Sequence, residues 1–179
     1  MGKIIAIVNQ KGGVGKTTSC INLAASMALL EQKTLLIDLD PQANATTGSL
    51  FQKEPGANIA QVLLDEIPIQ ESLLVTPAGY SLIPGTTDLT QTEVQLLQKE
   101  QREYTLKKKL AVLSNLYDYI LLDCPPSLNI LTVNALVAAN SVIIPVQCEY
   151  FALEGLSNLI NTLQSLRATV NPHLQIHGI

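Results

Sequence analysis

Apolar residues in this 179-residue chain gather into short unbroken runs separated by stretches with helical spacing. Ile4-Ile5-Ala6-Ile7-Val8, Leu35-Leu36-Ile37 and Ile120-Leu121-Leu122 are continuous rather than alternating. A strand with one wet face alternates polar and apolar residues, whereas a strand covered on both faces, as in a parallel sheet, does not. The runs therefore predict buried strands over 3–9, 34–38 and 117–123, with further strands over 73–75, 81–85, 141–146 and 174–179. Apolar residues three and four apart predict helices over 17–30, 58–64, 90–97, 98–116, 128–138 and 149–168. In the fourth of these, Leu106, Leu110 and Leu113 share a face; in the last, Leu153, Leu156, Leu159, Ile160 and Leu163 are expected to point inward. The polar run after Pro41, as far as Gly48, reads as a mobile loop. Strand and helix alternate along the chain, which predicts an α/β fold: one domain over 1–179 built on a mostly parallel, doubly wound sheet with helices on both faces. The first two strands, joined by one helix, read as a right-handed parallel βαβ pair.

Composition narrows the picture. Hydrophobic residues make up 47% and charged residues 15%, which excludes a disordered chain and favours a packed interior. No apolar run reaches the roughly 18 residues of a membrane span, and the N-terminus enters a strand directly, without the pattern of a signal peptide. Cys20, Cys124 and Cys148 are scattered without metal-like spacing, as expected of reduced thiols in a cytoplasmic protein. A formal net charge of -4 argues mildly against nucleic acid, although a local basic patch could override it. Lys107-Lys108-Lys109 is such a run; a solvated helix face and a nucleic-acid contact are its two readings. His173 and His177 have no partners at ligand spacing. The chain ends on a strand with no covering element after it, so its C-terminal part is expected to be missing.

The chemistry concentrates after the first strand, at Gln10-Lys11-Gly12-Gly13-Val14-Gly15-Lys16-Thr17-Thr18. Strand, glycine-rich turn and helix form the setting of a phosphate-binding loop. Glycines let several backbone N–H groups converge on one anion, and the helix start adds the positive end of its dipole. Lys16 supplies a full charge and the Thr17 hydroxyl a ligand for Mg²⁺. The usual pattern places a glycine five residues before the second one, where this chain has Gln10, and it carries a second lysine, Lys11. Asp38 and Asp40 close the second strand, at the carboxyl edge where ligands bind in doubly wound sheets; read alone, they could be turn residues. Asp123 closes another apolar strand and suits a group that holds Mg²⁺ or a water on it, with a strand-end cap as the plain alternative.

Lys-Gly-Gly-Val-Gly-Lys-Thr-Thr at 11–18 resembles the deviant P-loop of the ParA/MinD ATPases. Asp-Leu-Asp-Pro-Gln at 38–42, Asp-Cys-Pro-Pro-Ser at 123–127 and Pro-Val-Gln-Cys-Glu-Tyr-Phe-Ala-Leu-Glu-Gly at 145–155 are similar to the ParA/Soj chromosome- and plasmid-partition branch. Two departures stand out: Ala43 where that family usually has glycine, and Cys124 where it more often has threonine. The resemblance implies an ATPase that uses ATP/ADP and Mg²⁺. Gly12, Gly13, Val14, Gly15, Lys16, Thr17 and Thr18 would cradle the phosphates, and Lys11 would act across an ATP-dependent homodimer. Asp40 would orient or activate water, Asp38 would support the metal's surroundings, Thr17 and Asp123 would serve the metal, and Glu149 would approach the ribose in the dimer. It also implies nonspecific DNA, a ParB-type centromere-binding partner, no membrane, and a cytoplasmic, nucleoid-associated location. A MinD-like membrane-cycling ATPase and a nucleotide-binding module without turnover are the alternatives.

Overall fold

The computed structural model describes residues 2–50, 56–149 and 152–179. Seven strands form one sheet: β1 (Lys3–Ile7), β2 (Thr34–Asp38), β3 (Leu74–Val75), β4 (Ser81–Ile83), β5 (Tyr119–Asp123), β6 (Ser141–Ile143) and β7 (Gln175–Gly178). Their order across the sheet is β3-β4-β2-β5-β1-β6-β7, and every pair is parallel except β3 with β4. The helices are α1 (Lys16–Leu29), α2 (Asn44–Leu50), α3 (Ile59–Leu63), α4 (Leu89–Leu96), α5 (Thr105–Leu110), α6 (Ile130–Ala138) and α7 (Ala152–Thr169). Among the described residues, no helix is long and apolar enough to cross a membrane.

The unbroken apolar runs divide between two cores with the period of two that a strand imposes. On β1, Ile4 and Ala6 join one core while Ile5 and Ile7 join the other; on β5, Ile120 and Leu122 oppose Leu121 in the same way. The first core takes the buried faces of α3, α4, α5, α6 and α7, and the second takes Cys20 and Ala24 of α1 with Ala45 of α2. Both faces are covered, as the runs predict.

Three expectations are corrected. The strands flanking α1 are not paired: β5 lies between β1 and β2 and bonds to both. The expected helix over 98–116 is broken into a tight turn at Arg102–Tyr104 and α5. Gln101 sits in the left-handed region (φ 49), and the buried Asn134 of α6 grips both sides of the break, accepting from Leu106 N (3.0 Å) and donating to Arg102 O (2.9 Å). The lysine run at 107–109 lies within the last turn of α5, with Lys107 and Lys108 exposed as the solvated-face reading has it; Lys109 pairs with Asp65, and Lys99 pairs with the same carboxylate at 2.7 Å. Finally, the mobile loop expected up to Gly48 contains α2, whose Ala45, Thr46 and Ser49 are buried. Tyr80 Oη donates to Ser49 Oγ at 2.7 Å and ties the helix to the hairpin of β3 and β4.

Smaller differences concern ends. Asn129 caps α6, its side chain accepting from Leu131 N and Thr132 N at 3.1 Å, so that helix starts at Ile130 rather than 128. Asn58 and Gln61 form a reciprocal capping box at α3. The inward placement of Leu159 and Leu163 on α7 holds; the expectation for Leu153 falls on a side chain outside those described.

Candidate functional site

The strand order decides the site. With β5 inserted between β1 and β2, Asp123 is level with Ile7 on one side and with Asp38 on the other. The loop after β1, the carboxylates after β2 and Asp123 thus meet at one edge, although they lie up to about a hundred residues apart in sequence. A cleft of about 360 Å³ opens there, lined by Gly12, Gly13, Gly15, Lys16, Thr17, Thr18, Asp40, Gln42, Asn44 and Pro126.

The loop reaches α1 through two residues in the left-handed region, Gly13 (φ 75) and Gly15 (φ 95), where a side chain is strained. Gly12 has no such constraint, and a Cβ there would meet nothing within 4 Å. What its lack of a side chain leaves is backbone open to the cleft. Val14 is buried behind the loop. Lys16 is also buried, and its Nζ donates to Lys11 O at 3.1 Å, holding the ammonium across the turn. Burial lowers its pKa, an effect opposed by the charges of Asp123 and Asp40.

Asp123 is fully buried and its pKa is raised to about 7, first by burial and then by the charge of Asp38; the nearby Thr17 hydroxyl and Cys20 thiol hold it down. Its Oδ2 is buried without a hydrogen-bond partner. An orphaned oxygen on a carboxylate that interacts with the loop threonine offers the donors a small hard cation takes, with the remaining ligands coming from phosphate and water. Among the described residues, no group of three or more acidic, histidine or cysteine side chains could hold a metal without such help.

Asp38 is placed differently. Its Oδ1 accepts from Asp40 N at 3.1 Å, and its Oδ2 accepts from Thr46 N at 2.8 Å and Thr46 Oγ1 at 2.7 Å. Both oxygens are engaged within the chain, so this carboxylate anchors α2 and the backbone of Asp40. Burial raises its pKa to about 6 against the lowering effect of the Thr46 bonds. Thr46 Oγ1 in turn accepts from Gly85 N at 2.9 Å. Asp40 lines the cleft, its Oδ1 accepting from Gln42 N at 2.9 Å.

The segment after β6 straps the loop from the other side. Asn9 Nδ2 donates to Pro145 O at 2.7 Å, Gln147 Nε2 to Gly13 O at 3.1 Å, and Lys11 pairs with Glu149. Lys11 and Glu149, both expected near phosphate or ribose, are thus partners within one chain. Asn9, Gln147, Thr46 and Cys20 were missed from sequence. Gln147 stands inside the 145–155 motif but without a role of its own, and no local signal marks the other three, because their roles depend on neighbours far along the chain. Cys124 is a fully buried core thiol, donating to Leu122 O at 3.7 Å.

Comparison with known proteins agrees with this geometry. A family model described as AAA domain matches residues 2–176. The chain is 52% identical over 181 residues to the chromosome partitioning protein ParA of Myxococcus xanthus, covering 100% of this chain and 64% of that protein. It is 47% identical over 184 residues to the sporulation initiation inhibitor protein Soj of Bacillus subtilis, covering 100% and 72% respectively. A structure of cobyrinic acid a,c-diamide synthase from Mycobacterium smegmatis with bound ADP and magnesium superposes with a TM-score of 0.94 at 37% identity, covering 98% of this chain and 72% of that one. The chain therefore spans about two thirds of the length of the relatives it matches. By its loop, its strand-end carboxylates and these identities, the chain belongs to the ParA/Soj family of chromosome-partitioning ATPases.

Proposed function

We propose that this domain binds ATP with Mg²⁺ in the cleft and hydrolyses it slowly, as the switch of a chromosome or plasmid partition system. The observation that carries the reading is the buried, unpartnered Asp123 Oδ2 at the level of the phosphate loop. The loop backbone from Gly12 to Thr18 receives the phosphates, and Lys16 neutralises charge on the outer ones. Thr17 and Asp123 hold Mg²⁺, directly or through its water. When bound, the metal neutralises phosphate charge and fixes the phosphate geometry.

Asp40 orients the attacking water, and it is kept in place by Asp38 through its backbone N–H. As the water oxygen bonds to phosphorus, the bond from phosphorus to the ADP oxygen breaks, and the proton of the water passes by way of the Asp40 carboxylate to the released phosphate. Little covalent chemistry falls to the protein; positioning and charge stabilisation do most of the work. Lys11 is free to reach a phosphate, in its own site or across a dimer, once its exposed pairing with Glu149 opens, and Glu149 is then available for the ribose. An ATP-dependent homodimer, nonspecific DNA binding, stimulation by a ParB-type partner and a cytoplasmic, nucleoid-associated location complete the proposal. They are supported by the identity to ParA and Soj proteins.

The test is calorimetry with Mg-ADP together with phosphate release from Mg-ATP. Lys16→Ala is expected to abolish nucleotide binding. Asp40→Ala is expected to keep binding and lose turnover by about 100-fold or more, the scale of a lost water-positioning or general-base group. Equal turnover in wild type and Asp40→Ala would overturn the assignment.

A further inference from the structure

Cys20 lies one helical turn beyond Thr17 on α1, on the face that packs against β5, and is fully buried. Its thiol donates to Asp123 Oδ1 at 3.4 Å. An ordinary thiol is protonated at neutral pH, so the sulfur is a donor here. The other oxygen of the same carboxylate, Oδ2, is buried and has no partner.

These two facts belong together. The terminal torsion of an aspartate is broad and roughly two-fold, so an unsupported carboxylate can present either oxygen. A donor fixed behind one oxygen selects which is presented. Thr17 and Cys20 sit on one rigid helix, so the loop threonine and the selector move as a unit. A thiol is also a weak donor. It orients the carboxylate while leaving its charge largely available to a cation.

We propose that Cys20 is a positioning residue for the metal: its S–H bond to Oδ1 of Asp123 fixes the carboxylate so that Oδ2 is the oxygen left for Mg²⁺ or its water. The proposal rests on the Mg-nucleotide reading above and adds a residue to it. Cys20 touches neither the metal nor the nucleotide; it acts through Asp123.

Three substitutions separate orientation from packing. Cys20→Ser keeps a donor and loses volume, Cys20→Val keeps bulk and loses the donor, and Cys20→Ala loses both. The Mg²⁺ dependence of binding is read with a fluorescent ADP, alongside ADP binding in EDTA and the infrared S–H stretch. Cys20→Val and Cys20→Ala are expected to need about 10-fold more Mg²⁺, the usual scale for losing a group that orients a metal ligand. Their affinity for ADP in EDTA should be unchanged, and Cys20→Ser should stay within about twofold of wild type.

In wild type, the difference spectrum between Mg-ADP-bound and free protein should show one buried S–H band moving, and Cys20→Ser should remove that band. This measurement needs no substitution to establish the shift, so a variant that fails to fold does not block it. Unchanged Mg²⁺ dependence in Cys20→Val and Cys20→Ala, a loss in Cys20→Ser equal to theirs, or a stationary S–H band would each overturn the proposal. A wild type that takes up no Mg-ADP would overturn the nucleotide reading, and this inference with it.

Discussion

Lys11 is ion-paired with Glu149 of its own chain, 138 residues further on. The pair closes a strap whose other two ties are Asn9 to Pro145 and Gln147 to Gly13. Its side chains are 39% and 52% exposed, so water and salt screen the attraction. A pair of this kind holds a side chain in one place without committing it there. Glu149→Gln and Lys11→Ala are therefore expected to change unfolding free energy by less than about 1 kcal/mol in urea titrations. Phosphate release, by contrast, should fall in Lys11→Ala while nucleotide binding persists. Turnover equal to wild type would remove Lys11 from the chemistry.

Thr46 carries three hydrogen bonds at one point: its backbone N–H and hydroxyl both reach Asp38, and the same hydroxyl receives Gly85 N–H. Thr46→Val removes the hydroxyl and leaves a buried carboxylate oxygen short of a donor and a buried N–H without an acceptor. A cost of about 2 to 3 kcal/mol is expected, with Thr46→Ser much milder. Turnover should fall as well, because Asp38 holds the backbone of Asp40. Urea unfolding and phosphate release on the same preparations check both halves.

Ala43 occupies the left-handed region at φ 51 just before α2. A Cβ there is strained, and glycine is not. Ala43→Gly should stabilise the protein by up to about 1 kcal/mol, measured by urea unfolding. A loss of stability would mean that the entropy of glycine in the unfolded chain outweighs the strain.

Asp38 and Asp123 set a pH dependence of stability. In the unfolded chain they release their protons near 3.8, whereas folding holds them to about 6 and about 7. Between those limits the folded state binds more protons than the unfolded one. Their contribution is complete below about pH 4 and is lost as pH rises through about 7. Nucleotide-free protein should therefore unfold at lower urea at pH 8 than at pH 5, with Asp38 alone responsible for roughly 1.5 kcal/mol of that difference, the rest of its effect being already lost by pH 5. Asp123→Asn should flatten the part of the slope above pH 6. A slope of the opposite sign would exclude buried, high-pKa carboxylates here.

Much of this protein was legible one segment at a time. Continuous apolar runs identified strands covered on both faces, and the glycines, Lys16 and Thr17 announced an anion-binding turn. Asp40 and Asp123 were marked by their positions at the ends of such runs. Those features are local, because backbone sterics and strand or helix period act over a few residues. Neighbours are not local. Hydrophobic pattern states that a strand is buried but not beside which strand, so only the folded sheet shows β5 between β1 and β2 and Asp123 level with Asp38. The same limit hid α2, whose buried first turn depends on Asp38 and whose last turn depends on Tyr80. It hid the break near Gln101, which Asn134 stabilises from another helix, and the capture of Lys11 by Glu149. The sequence by itself determined which groups stand at the ends of the strands. The tertiary structure decided which of their oxygens and ammonium groups are already taken, because hydrogen bonds and ion pairs join whatever packing brings together.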